Sequence, residues 1–256
     1  MLEQITPIIL TYNEIENIER TLNGVKWAQR VIVVDSGSDD GTLEVCQRFS
    51  NVEVHFHAFE HHVSQWRYAM SLVEDSAWVM ALDADYVISE AMRSELASLQ
   101  PQGINGYQVG FRYLQNGHPL RATLYPEKIV LHRVAPSHYY HDGHTQAVRV
   151  SGKLEKLETK IDHDDRKPWR RWRRSQHYYA ALEAQKLRNT RWSELSFNDR
   201  IRLVPFLSPL LVLGYTLVYR GLILDGWPGV TYALARTYAE TVLSLQRCKL
   251  LFNGDG

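Results

Sequence analysis

Short apolar runs that stop at polar or acidic residues recur through the first hundred positions. Residues 4–10 (Gln-Ile-Thr-Pro-Ile-Ile-Leu) give way to Thr11, Tyr12, Asn13 and Glu14, residues 30–34 (Arg-Val-Ile-Val-Val) end at Asp35, and residues 77–82 (Ala-Trp-Val-Met-Ala-Leu) end at Asp83. Runs this short and this apolar suit strands buried on both faces and are too short for helices. Residues 51–57 read as a further strand, and Pro7 is expected at an edge or a bulge. Helical patterns fall at about 15–23, 43–49, 64–73 and 90–100. The alternation predicts an α/β fold with a mostly parallel sheet, helices on both faces and a ligand crevice at the carboxyl ends of the strands. The polar stretches 11–14, 35–42 and 83–85 all fall at those ends.

The pattern changes after residue 100. Residues 106–113, 128–133 and 146–150 read as antiparallel strands beside the sheet, with a turn at 115–119, and they suit the acceptor side of a cleft. From Arg166 a strongly cationic helix with Pro168 in its first turn is expected to run to about Lys186. Residues 203–219 are uncharged for 17 positions but broken by Pro205, Pro209 and Gly214 and bounded by Arg202 and Arg220, which suits lying in a membrane interface better than crossing one. Residues 225–229 read as a turn and 230–252 as a last amphipathic helix. The domains expected are 1–165, with a ligand-binding part at 1–100 and an acceptor side at 101–165, and a helical extension at 166–256.

Charge sharpens that division. Residues 1–165 hold 14 Lys+Arg against 23 Asp+Glu, and residues 166–256 hold 15 against 6, so a zero net charge hides an acidic and a basic part. Trp169 and Trp172 among the cations favour an anionic lipid surface for the basic part, since Trp prefers the interface. A helical subdomain packed on the sheet is the plainer alternative, and nucleic acid lacks any recognised module. Two cysteines far apart, Cys46 and Cys248, give neither a disulfide framework nor a metal-knuckle spacing. With no positive n-region and apolar h-region at the start, a cytoplasmic protein is expected.

The chemistry gathers at Asp83-Ala-Asp85. Two Asp at i and i+2 on extended backbone point the same way, so both carboxylates are expected to face one spot suited to a hard divalent cation and phosphate. Turn formation or helix capping is the ordinary alternative. Neither G-x-G-x-x-G, G-x-x-x-x-G-K-[ST] nor G-x-S-x-G occurs, which removes the dinucleotide fingerprint, the P-loop and the commonest hydrolase elbow. Residues 35–46 fail as an EF-hand loop because Gly falls at the seventh position and Cys46 stands where a bidentate Glu is needed.

Thr11-Tyr-Asn-Glu14, Val33-Val-Asp-Ser-Gly-Ser-Asp-Asp-Gly-Thr42 and Leu82-Asp-Ala-Asp85, in that order, closely resemble the family 2 inverting glycosyltransferases with the GT-A fold, over about the first hundred residues. Ile161-Asp-His163, the Tyr-rich basic helix and Gly221-Leu-Ile-Leu-Asp-Gly-Trp-Pro-Gly229 are similar to the branch that includes bacterial lipopolysaccharide core β-1,4-glucosyltransferases. The resemblance implies a GT-A type, Rossmann-like, mostly parallel sheet with added antiparallel strands and a C-terminal helical, membrane-associating extension. It implies that Thr11, Tyr12, Asn13, Glu14 and Asp35 hold the base and ribose of a nucleoside-diphosphate sugar, that Asp83 meets the ribose, and that Asp85 binds the Mg²⁺ or Mn²⁺ bridging the diphosphate. Gln65 and Arg67 stand where relatives carry groups near the donor phosphates, and a surface helix Arg is the alternative for Arg67. His163 stands where relatives place a His that completes the metal shell, with a structural His as the alternative. Relatives carry a His-Glu pair where this chain has His141 to Gln146, so the base is expected from Asp142 or His144, since Gln146 cannot act as one.

The function expected is metal-dependent, inverting transfer of a hexose from a UDP-sugar to a lipid-linked or lipopolysaccharide-type glycan, on the cytoplasmic face of the inner membrane. Two other classes stay open: a non-catalytic nucleotide-sugar-binding scaffold, which Gln146 permits, and a nucleotidyltransferase, which shares the two-carboxylate metal logic.

Overall fold

The computed structural model describes residues 1–74, 77–142 and 145–252, the side chains of 141, 142, 145, 146 and 252 excepted. By internal packing the chain divides into two compact units, residues 1–117 with 124–166, and residues 118–123 with 167–256.

In the first unit the four apolar runs become β1 (Ile5–Thr11), β2 (Val31–Asp35), β3 (Val52–Phe56) and β4 (Trp78–Asp83), all parallel and side by side in the order β4-β1-β2-β3. Their side chains alternate between two apolar layers. Ile5, Ile9, Val31, Val33, Trp78, Met80 and Leu82 pack with α1 (Ile18–Val25), α2 (Thr42–Cys46) and α4 (Glu90–Ser98). Ile8, Ile32, Val34 and Val79 pack with Val63, Trp66 and Ala69 of α3 (His62–Met70). Two covered faces explain why β1, β2 and β4 carry so few polar residues, while β3, at the edge of the sheet, is part-exposed and carries Glu53 and His55. The chain winds outward from β1 to β3 and then returns to the other side of β1 as β4. That makes the β1/β4 gap the topological switch point, where sheets of this kind hold ligands.

The remaining strands are β5 (Tyr86–Val87), β6 (Ile104–Val109), β7 (Phe111–Gln115), β9 (Lys128–Arg133), β10 (Ser137–Asp142), β11 (Thr145–Val150), β12 (Lys153–Lys156) and β13 (Ile161–His163), with β8 (His118–Pro119) in the second unit. β9 joins β4 antiparallel, β6 joins β9 antiparallel, and β12 joins β6 in parallel. The expected α/β architecture with added antiparallel strands is therefore the one observed. Three local expectations change. Pro7 sits in a strand with neighbours on both sides, tolerated because the β2 ladder begins only at Ile8, beyond the missing N–H. Residues 106–113 are not one strand, because β6 ends at Val109 and β7 pairs with β13, which also pairs with β5. β10 and β11 pair with each other as a hairpin on α3, where Tyr139 stacks on Trp66 at 5.1 Å and 3°.

In the second unit α5 (Trp169–Asn189) packs Ala180, Ala184 and Leu187 against Leu195 and against Val242 and Leu243 of α8 (Trp227–Phe252). α6 (Phe197–Arg202), α7 (Leu207–Gly214) and a π-helical turn (Tyr215–Tyr219) lie between them. Arg202, at the end of the apolar stretch, pairs with Glu240 at 2.6 Å and approaches Glu183 and Asp199 at 3.7 and 3.6 Å. Burial works against its charge, and the bonds and attraction of those carboxylates outweigh it, so its pKa rises. α8 starts at Trp227, earlier than the expected turn allows, with Pro228 in its first turn. Gly226 adopts φ 65° and ψ −144°, and a Cβ on Gly229 would lie 1.9 Å from the Leu222 carbonyl oxygen, so both positions require glycine. No helix among the described residues is long and apolar enough to cross a membrane.

Two core groups titrate abnormally. Cys46 is fully buried, and burial, with the Asp35 charge adding to it, pushes its thiol up to about 11. His132 is fully buried, 2.9 Å from the Tyr139 hydroxyl through Nε2 and 2.9 Å from Ser137 Oγ through Nδ1. Burial lowers its pKa to about 4 against the bond to the Arg133 carbonyl. Since the unfolded chain binds this proton and the folded chain does not, the contribution is complete above about pH 6.5 and is lost as pH falls towards 4. We expect urea unfolding between pH 7 and 4 to show an acid loss about 3 kcal/mol larger in the wild type than in His132→Gln; equal losses would contradict it.

Candidate functional site

The site begins where β1 and β2 end. In register, Leu10 of β1 lies between Val34 of β2 and Asp83 of β4, and Thr11 is level with Asp35. Asp35 is buried and accepts four hydrogen bonds: from the Thr11 hydroxyl (3.0 Å), from the Ser38 hydroxyl, and from the amides of Gly37 (2.8 Å) and Ser38 (2.9 Å). The loop after β1 is then tied to the loop after β2 residue by residue. The Asn13 amide donates to Ser38 Oγ, its side chain exchanges two bonds with Asp39, Glu14 donates to Thr42 Oγ1, and Ile15 donates to Asp40. Asn13 takes φ 58°, a conformation Asn tolerates better than most residues. Tyr12, at the tip, is 56% exposed.

β4 ends at Asp83, and Ala84–Asp85 form a turn into β5 rather than extended backbone. The two carboxylates consequently meet different partners. Asp83 is part-exposed and lies 3.8 Å from Lys128 Nζ. β9 runs antiparallel to β4, so Lys128 at its start lies near Asp83 at the end of β4, beyond the last paired residues Met80 and Leu131. Lys128 donates to the hydroxyls of Tyr125 (2.6 Å) and Tyr86 (3.1 Å), which are themselves 2.6 Å apart. Burial first, and Asp83 second, holds both phenols well above their ordinary pKa. Asp85 is buried, with Oδ2 3.3 Å from His163 Nε2. The imidazole is ringed edge-on by Tyr125, Tyr113 and Tyr86 at 4.5, 4.8 and 5.4 Å, and its buried Nδ1 has no hydrogen-bond partner. No group of three or more His, Cys, Asp or Glu able to hold a metal occurs among the described residues, and with Asp85 in a turn the extended-strand alternation does not govern the two carboxylates.

Residues 6–149 match the profile of Glycosyl transferase family 2, more than half of the chain. The chain belongs to that family. An uncharacterized glycosyltransferase of Rickettsia felis is 33% identical over 96 residues, covering 37% of this chain and 33% of the relative. The SPbeta prophage-derived glycosyltransferase SunS of Bacillus subtilis is 31% identical over 97 residues, covering 37% and 23%. The chain thus spans about a third or less of these relatives. In fold, it resembles the mannosyltransferase PcManGT of Pyrobaculum calidifontis, solved with GDP-Man and Mn²⁺, with TM-score 0.53 and 15% identity over 96% of this chain and 87% of that one.

Of the residues singled out from the sequence, the structure brings Thr11 together with Asp35, and Asp85 with His163. Gln65 is buried and donates to the carbonyls of His57 and Ala58, holding the segment after β3, while Arg67 lies on the exposed face of the same helix. Asp142 pairs through its backbone with Thr145 at the end of the β10–β11 hairpin; its side chain and all of His144 lie outside the described residues.

Sequence reading missed the support beneath the β4 turn. Thr21 of α1 donates to the Ala84 carbonyl (2.6 Å) and the Asp164 amide donates to the Asp85 carbonyl (3.1 Å). The buried Asp164 carboxylate accepts from the Gly117 amide and from Arg166, and lies 3.7 Å from Arg20. Burial lowers the Arg20 pKa, with Asp164 opposing. Asn17 does not cap α1 through its side chain; it bonds Glu14, Asp165, Arg20 and the Arg166 amide instead. Only the acidic run beside His163 hinted at this. We expect Asp164→Asn to cost about 2–3 kcal/mol in urea denaturation, because it strips charge compensation from the part-buried Arg20; a change under about 0.5 kcal/mol would mean that the network is not needed for stability.

Proposed function

We propose that this chain transfers a hexose from a UDP-sugar, with Mg²⁺ or Mn²⁺, to a hydroxyl of a lipid-linked or lipopolysaccharide-type glycan, with inversion at the anomeric carbon. The observation that carries this reading is the Asp85–His163 pair at the exit of β4, beside the switch point of a family 2 fold. Two donors about 2.1 Å from one ion at right angles stand about 3 Å apart, close to the separation here. A carboxylate with an imidazole suits Mn²⁺ better than Mg²⁺, which favours oxygen. The ion, when bound, neutralises charge on the departing diphosphate. Lys128, locked by two tyrosines, gives the same region a standing positive charge beside Asp83. Thr11 to Glu14 and Asp35 form the rim for base and ribose, with Tyr12 exposed for stacking, and Arg67 is free on its helix face to meet phosphate. The acceptor oxygen bonds to the anomeric carbon as the bond to the diphosphate breaks, and its proton passes to Asp142 or His144. UDP and the acceptor class come from the resemblance to lipopolysaccharide core enzymes, while the Pyrobaculum enzyme was solved with GDP-Man, so both nucleotides belong in the test.

Calorimetry with UDP and GDP, with and without Mn²⁺, is expected to show Mn²⁺-dependent UDP binding that Asp85→Ala weakens by about 100-fold while the melting temperature holds. Wild-type affinity in that variant would sink the scheme.

The membrane side of the reading rests on the second unit. Leu210, Val218, Tyr219, Leu224 and Trp227 are each at least 70% exposed, within a stretch that holds Arg220 as its only cation between Leu203 and Trp227. An apolar ridge of this kind, with Tyr and Trp upon it, suits shallow insertion into the cytoplasmic leaflet of the inner membrane. Replacing Leu210, Val218 and Leu224 together by Ser is expected to lower partitioning into phosphatidylglycerol vesicles about tenfold or more in sedimentation. Unchanged partitioning would count against it.

A further inference from the structure

The first half of α5 holds a cationic cleft that neither the carboxylate site nor the apolar ridge uses. Arg170, Arg173, Arg174 and His177 follow the spacing i, i+3, i+4, i+7 and so share one helix face. With Trp169 they line an open cleft of about 380 Å³. Its wall is built rather than loose. Trp169 stacks on Trp172 at 4.5 Å and 16°, and both rings lie against Tyr238 of α8 at 5.8 and 5.9 Å. The Tyr238 hydroxyl accepts from Arg173 Nε (3.2 Å) and lies 3.0 Å from His177 Nε2, and the Arg173 guanidinium sits 5.7 Å from the Tyr238 ring. Trp169 remains 54% exposed.

The same unit pairs its part-buried cation Arg202 with Glu240, Glu183 and Asp199, whereas the cations of the cleft stand exposed on the helix face. No carboxylate pairs with Arg170, Arg173, Arg174 or His177 among the described residues. Like charges at these spacings oppose the helix by a few tenths of a kcal/mol, about 0.2–0.5 per pair. The helix also begins at Pro168 without a side-chain cap, which adds the positive end of its dipole. Three guanidinium forks in one cleft match the several oxygens of a phosphate, and an exposed indole face beside them matches the apolar face of a sugar ring.

We propose that this cleft binds a phosphate ester, carried either on a sugar of the acceptor or on the headgroup of an anionic lipid. As an acceptor subsite it rests on the transfer reading above, and it would restrict the substrate to phosphorylated glycans. The binding itself does not depend on that reading. The probes are glucose 6-phosphate, glucose and inorganic phosphate, followed by Trp fluorescence and calorimetry on the full chain, and phosphatidylglycerol against phosphatidylcholine vesicles. Glucose 6-phosphate is expected to bind about tenfold or more tightly than glucose, and R173Q/R174Q to remove that gain while melting temperature and Mn²⁺-dependent UDP binding stay unchanged. Trp169→Ala should bring glucose 6-phosphate down to the affinity of inorganic phosphate if a sugar is the carrier. Loss of vesicle binding in R173Q/R174Q, without glucose 6-phosphate binding, assigns the phosphate to the lipid. The proposal is overturned if R173Q/R174Q changes neither arm, or if glucose binds measurably and as tightly as its phosphate. Since UDP binding is read separately, a failed cleft and a failed transferase reading give different results.

Discussion

The buried carboxylate of Asp35 is the constraint on which the carboxyl edge of the sheet depends. An ion removed from water is tolerated only when its lone pairs are met, and here two hydroxyls and two amides meet them. Gly37, at φ 95°, allows the turn that brings its own amide to the acid. Ser38, held by that acid, receives the Asn13 amide, and the bonds at Asp39, Asp40 and Thr42 follow from it. The loops after β1 and β2 therefore behave as one preorganised body. A nucleotide base that approaches Asp35 must replace a hydroxyl donor already there, so the acid acts on a ligand through the shape of the rim as well as through any direct bond.

At the exit of β4 a second device separates charges of like sign. Asp83 faces an ammonium anchored by two phenols, and Asp85 faces an imidazole ringed by tyrosines. The tyrosines join the two halves, since Tyr86 and Tyr125 touch both Lys128 and His163. Losing one phenol would disturb both carboxylates at once. Beneath them Thr21 and Asp164 grip the turn by backbone carbonyls, which fixes position without using the acids themselves.

What the sequence disclosed followed from what each signal measures. Uninterrupted apolar runs report burial on both faces, so β1, β2 and β4 and their parallel order were legible, and the acids at their ends marked the crevice. Pro7 misled because the prohibition on proline applies to a missing donor, and the β2 ladder starts one residue later. Asp83 and Asp85 misled because period-two alternation holds only while the strand lasts, and β4 stops between them. Lys128 gave no sign of its importance; a lysine opening an apolar strand is commonplace, and only the antiparallel placing of β9 beside β4 brings it to Asp83. The partners of Arg202 and Asn17 were not legible, because Glu240 and Asp165 lie far along the chain.

The burial of Cys46 has a practical corollary. Its sulfur is sealed between α2 and the sheet and holds its proton far above neutral pH, so alkylating and oxidising reagents reach it only when the core opens. The thiol is thus an internal clock for that opening: its modification rate reads how often the layer of α1, α2 and α4 on the sheet comes apart, with no added label.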